Sequence, residues 1–150
     1  MSIIAIDPGT VRLGICWLHD EAAYHAFSQK PLGKGLLERM AGALAALPAP
    51  GGVSAVYVEN AGSFFGKRTS HAALSSLAMM RGAILGHYLT RGVPVVALVN
   101  VSTVRAALCG RATASKEDVK AALREQGFDI EDGDDDAWDA LALAVWAVRK

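Results

Sequence analysis

Cysteine is scarce in this sequence: the 150 residues hold two, Cys16 and Cys109. They form no CxxC pair, and the four histidines (His19, His25, His71, His87) are scattered, which argues against a structural zinc site. Two isolated thiols behave as small apolar residues and fit a reducing compartment. No apolar run approaches the roughly 20 residues needed to span a bilayer. Residues 1–6 are too short and lack the basic flank of a signal peptide. The expectation is a soluble, cytoplasmic protein with no membrane partner. Net charge is also missing, since fifteen Lys plus Arg balance fifteen Asp plus Glu. That excludes a uniformly basic nucleic-acid coat. The sequence contains no GxSxG, no P-loop and no GxGxxG, so serine-hydrolase, P-loop and dinucleotide-binding readings lack support.

What is present is a core. Hydrophobic residues make up 52% of the chain and charged residues 20%, enough apolar material for one folded domain over residues 1–150. Ser2–Asp7 is a β-branched run and reads as a strand, closed by the turn Pro8-Gly9-Thr10. Residues 11–18 and 22–28 read as two further strands around His19-Asp20-Glu21, giving three antiparallel strands. Leu36, Leu37, Met40, Leu44 and Leu47 recur at helical spacing, so 33–47 is expected to be an amphipathic helix. A strand over 53–59, a long helix over 69–91 and a strand over 93–99 follow. Short helices are expected over 101–109 and 115–126, the second capped by Ser115 with Asp118 three residues on. A last helix starts near Gly133. Strands first and then alternating strands and helices imply an α/β fold with a mixed five-stranded sheet flanked by helices.

The neutral total hides a strong asymmetry. Residues 131–139 hold six acids and no base, while residues 67–124 hold nine bases and two acids. A basic surface around a focused acidic spot suits a metal-dependent enzyme acting on a polyanion. Ordinary solvated charge runs would look the same.

Particular carboxylates sharpen the choice. Asp7 and Glu59 each end an apolar strand, where a carboxylate is costly to bury unless it is paired or metal-bound. An Asp before Pro-Gly is also a plain turn former, and a Glu at a strand end is often simply solvated. Asp136 and Asp139 stand three apart on the last helix and share a face that Leu143 continues inward. Favourable placement at a helix N-terminus explains Asp134 and Asp135 well, but not Asp139. All-oxygen ligands suit Mg²⁺ or Mn²⁺, and two such ions about 4 Å apart can clamp the attacking water and the leaving oxygen of a phosphodiester.

AIDPGTVRLG (5–14), VYVE (56–59), the run through Met80-Arg81-Gly82 and DDAWDALALA (135–144) together resemble the RuvC family of Holliday-junction resolvases, in the RNase H-like superfamily. The order and spacing of these motifs match over nearly the whole chain. The resemblance implies an RNase H-like fold and a homodimer that resolves four-way junction DNA by paired, symmetric cuts, leaving 5′-phosphates. It implies that Asp7, Glu59, Asp136 and Asp139 bind two Mg²⁺ ions, which Mn²⁺ can replace, with Asp135 as a possible helper. It implies that Lys116 is catalytic and that Lys116 and Arg105 meet DNA phosphates near the cut. It further implies that Phe64 or Phe65 wedges into the junction, where stacking on a base is worth about 1–3 kcal/mol. Lys67, Arg68 and Arg111 complete the expected DNA-binding set. Folding of the two phenylalanines onto the long helix is the competing reading.

Compared with typical bacterial members, the chain stops soon after Asp139 and looks trimmed between the first strands and Glu59. That suits a phage-type or otherwise divergent member and leaves contacts with branch-migration proteins open. The alternatives are an RNase H-like nuclease acting on flaps, other branched DNA or RNA–DNA hybrids, and a module that binds junctions without cutting. A phosphotransfer domain of the actin and sugar-kinase type fits poorly, because such domains work in pairs around a nucleotide.

Overall fold

The computed structural model describes residues 1–9, 11–20, 23–60, 70–130 and 134–150. β1 (Ser2–Pro8), β2 (Leu13–His19) and β3 (Ala23–Gln29) form an antiparallel meander. β4 (Ala55–Asn60) pairs parallel with β1, and β5 (Val95–Asn100) pairs parallel with β4. The sheet order is β3-β2-β1-β4-β5, so β1 is the central strand. α1 (Leu36–Ala46) and α2 (His71–Leu89) pack on one face. α3 (Val101–Cys109), α4 (Lys116–Glu125) and α5 (Asp135–Val148) pack on the other. The mixed five-stranded sheet, three antiparallel strands followed by two parallel ones, is the architecture expected from the sequence. Among the described residues no helix is long and apolar enough to cross a membrane.

The central strand explains its own composition. Ile3, Ile4, Ala5 and Ile6 are all fully buried, because helices cover both faces of β1. Strand alternation divides them. Ile4 and Ile6 join Leu13, Ile15, Val56 and Val58 against Met80 and Ile84 of α2. Ala5, Cys16 and Leu18 meet Leu141, Ala144 and Val145 of α5. α5 is apolar nearly all round, with nine of its residues buried, which marks it as the innermost helix. Full burial of one such side chain as Leu141 contributes about 1.5–3 kcal/mol. Cys16 lies in this core, where burial pushes its thiol up to about 12, so it acts as an apolar filler.

Several boundaries differ from the sequence expectation. α1 begins at Leu36, not Gly33: Gly33 has φ +131°, a conformation that side chains rarely adopt, and Gly35 is the N-cap. β2 begins at Leu13 rather than at residue 11, where the Gly9 and Arg12 backbones approach closely. A Cβ on Gly9 would come within 2.2 Å of the Arg12 carbonyl oxygen. β4 starts at Ala55 rather than Val53. α4 begins as expected, with the Ser115 side chain accepting from the Asp118 N–H at 3.1 Å and the Asp118 side chain accepting from the Ser115 N–H at 2.8 Å.

Candidate active site

The acidic residues meet because of strand parity and register. β1 and β4 lie side by side with Ile6 opposite Val58, so the next residues, Asp7 and Glu59, stand at neighbouring positions where the two strands end. Asp7 is two residues beyond Ala5, and Glu59 two beyond Tyr57; both therefore point to the face that α5 covers. On the other side of β1, Asp7 pairs with Gly14 of β2. The missing side chain at Gly14 lets α5 close in: a Cβ there would sit 1.9 Å from the Asp136 carbonyl oxygen. The first turn of α5 thus lies directly over the strand ends and delivers Asp136 and Asp139 to them.

A second set of contacts fixes that turn. Asp134 is the N-cap of α5 and accepts from the Ala137 N–H at 3.1 Å. Its other oxygen accepts from Arg12 Nη1 at 3.0 Å and from the Ser28 hydroxyl. Arg12 Nη1 also reaches Ser28 Oγ at 3.3 Å. Arg12 just before β2, the end of β3 and the start of α5 are tied at one point. Burial works against charge on Asp134, but Ser28, the Ala137 N–H and Arg12 hold its carboxyl below the usual range.

Asp7, Glu59, Asp136 and Asp139 line one cavity of about 390 Å³, with Lys116, Arg105 and Arg81 also in its wall. Its electrostatics are those of crowded anions. Burial, then the charges of Glu59, Asp139 and Asp136, push Asp7 well above its usual range. Burial and then Asp139 raise Glu59 to about 7. Burial and Asp134 raise Asp136. Asp139 is raised by burial, even though Lys116 Nζ donates to its Oδ2 at 2.8 Å. Burial works against the Lys116 charge, but the hydrogen bond and charge of Asp139 outweigh it and hold the ammonium above its usual range.

The donor set fits a hard divalent cation: carboxylate oxygens only, from three separate elements, each made less acidic than normal first by burial. Among the described residues no group of three or more His, Cys, Asp or Glu side chains is drawn together tightly enough to hold a metal as it stands. Lys116 lies on Asp139 instead.

The other expected residues divide. Arg105 lines the cavity. Asp135 faces away from it and pairs with Lys120 at 2.8 Å and Lys116 at 3.7 Å. Arg111 is not brought to the acids: it pairs with Asp118 at 2.7 Å and borders a separate groove with Leu108 and Cys109. Phe64, Phe65, Lys67 and Arg68 lie outside the described residues.

Arg81 was not expected among the site residues. Its Nη1 donates to Asn60 Oδ1 at 2.7 Å, and Asn60 Nδ2 donates to Asn100 Oδ1 at 2.9 Å. Paired asparagines at the ends of β4 and β5 therefore hold a guanidinium in the cavity wall. The available signal was a lone cation in the apolar stretch Ala78–Ile84.

A family model described as crossover junction endodeoxyribonuclease RuvC matches residues 37–147. That span includes Glu59, Lys116, Asp136 and Asp139. Among solved structures, T. thermophilus RuvC in complex with a Holliday junction substrate is 28% identical, with a TM-score of 0.76 over 97% of this chain and 91% of that one. A second Thermus thermophilus RuvC structure is 27% identical, with a TM-score of 0.72 over 99% of this chain and 96% of that one. The yeast mitochondrial Holliday junction resolvase Ydc2 is 12% identical, with a TM-score of 0.64 over 95% and 75%, a likeness of fold alone. No curated protein matches the chain.

Proposed function

The chain belongs to the RuvC family of crossover junction endodeoxyribonucleases, and from that premise we propose that its acid-lined cavity cuts four-way junction DNA by metal-dependent phosphodiester hydrolysis. The observation that carries this reading is the convergence of Asp7, Glu59, Asp136 and Asp139 on one cavity with basic residues in its wall. These four carboxylates would hold two divalent cations, Mg²⁺ or Mn²⁺. Bound there, the cations would activate water and neutralise charge on the phosphodiester.

The chain's own residues do the rest. The stacked strand ends fix Asp7 and Glu59, and the capped start of α5 fixes Asp136 and Asp139. Lys116 and Arg105, both in the cavity wall, are suited to bind the non-bridging oxygens of the phosphate. Arg81, held by Asn60, adds a planar guanidinium suited to the same oxygens. Phe64 or Phe65, a few residues beyond Glu59, would open the junction by stacking on an unpaired base. Paired symmetric cuts, leaving 5′-phosphates, require two such sites and hence a homodimer.

Asp7→Asn and Glu59→Gln test the assignment. Each amide keeps the shape of the side chain and loses the anionic ligand. Cleavage should be abolished while junction binding, followed by gel shift in EDTA, is retained. A variant that cuts at the normal rate would remove that residue from the site.

A further inference from the structure

Asp135 stands beside the cavity without lining it, and its two oxygens face two different lysines. Lys120 Nζ donates to Oδ1 at 2.8 Å, and Lys116 Nζ lies 3.7 Å from Oδ2. Lys116 is meanwhile seated on Asp139 Oδ2 at 2.8 Å. The arrangement follows from helix periodicity. Asp135 and Asp139 are one turn apart on α5, Lys116 and Lys120 are one turn apart on α4, and the two pairs face each other. Lys120 is largely covered, with 16% of its side chain exposed, so its bond to Asp135 holds α4 against α5 whatever Lys116 does.

A divalent cation and the Lys116 ammonium cannot both occupy the same face of Asp139, because like charges at that distance repel strongly. On the reading that these acids bind metal, a cation that takes Asp139 Oδ2 displaces Lys116 from it. A lysine that merely went into water would lose the site. Asp135 Oδ2 offers a negative partner within a small swing of the side chain, already oriented by Lys120. We propose that Asp135 is a positioning residue: it is the second seat of Lys116, taking up the ammonium when a divalent cation takes Asp139 and keeping it at the rim of the cavity.

The test is Mn²⁺ binding to the purified full chain without DNA, read by electron paramagnetic resonance, in a double-mutant cycle of Asp135→Asn and Lys116→Met. With Lys116 present, Asp135→Asn should weaken Mn²⁺ binding about 3- to 10-fold, because the displaced ammonium has no seat. With Lys116→Met in place, the same change should alter binding by less than about 2-fold, since Asp135 is exposed and its own charge is screened. Asp135→Glu should restore wild-type affinity, which separates a seat from a folding defect. Equal weakening in both backgrounds would reduce Asp135 to a distant charge and overturn the proposal, as would no weakening in either. Failure of both wild type and Lys116→Met to bind Mn²⁺ would overturn the metal site together with the seat, whereas binding without coupling overturns the seat alone.

Discussion

Glu59→Gln should make the metal-free protein more stable at alkaline pH. The folded chain raises Glu59 from 4.5 to about 7, mainly by burial and then by the charge of Asp139. Between those values the folded state holds more protons than the unfolded chain, so wild-type stability falls as pH rises through that window. The loss is complete above about 7 and absent below about 4.5. At about 1.4 kcal/mol per pH unit, the shift is worth about 3 kcal/mol. That shift is already net of the favourable charges of Lys116, Arg105 and Arg81, and Glu59 keeps some contact with water, so about 2–3 kcal/mol is the expected gap. Asp7 does not cancel: the Glu59 charge is one of the causes that raise it, so Glu59→Gln also relieves Asp7 and widens the gap in the same direction. Urea unfolding in EDTA at a series of pH values from 4.5 to 8.5 measures the difference. Glu59→Gln should gain on wild type from pH 4.5 to about 7 and level off above it. A gap that stays constant across the series, or that favours wild type at pH 8, would refute the idea that crowded anions strain this site.

Three further variants probe separate parts of the account. Gly14→Ala puts a Cβ against the Asp136 backbone; it should destabilise the fold by about 1–3 kcal/mol in thermal melts and depress cleavage beyond that loss, by moving the start of α5. Asp134→Ala removes the cap of α5 and the partner of Arg12 and Ser28; denaturant melts should show a cost of about 1–2 kcal/mol. Phe64→Ala combined with Phe65→Ala should reduce cutting of intact junctions far more than it lowers the melting temperature, whereas collapse of the fold would assign those rings to the core.

Much of this was readable from the chain because strand physics is local. The apolar run ending in Asp7 read as a strand, and a carboxylate at its end is costly to bury without a partner, although a plain turn former fitted the same residue. The DxxD spacing chose Asp136 over Asp135, and the geometry gives the reason: Asp136 looks into the cavity, whereas Asp135 looks toward α4. What escaped the sequence was set by tertiary contact. Arg81 is brought to the site only because α2 crosses the end of β4, where Asn60 holds it. Arg111 stands apart from the acids in an exposed pair with Asp118 of the α4 capping box, a placement that charge counting along the chain does not show. The start of α1 was misplaced because hydrophobic spacing does not register the positive φ of Gly33. Gly14 was legible as part of a motif, but its role as the gap under α5 needed the register of β1 and β2.

The most direct measurement is cleavage of a synthetic immobile four-way junction beside a duplex, a flap and an RNA–DNA hybrid, with Mg²⁺ or Mn²⁺ and with EDTA. The expected result is paired, symmetric nicks in the junction alone, dependent on the metal. Equal cutting of flaps or hybrids would contradict junction specificity, and tight junction binding without cuts under either metal would contradict the catalytic reading of Asp7, Glu59, Asp136 and Asp139.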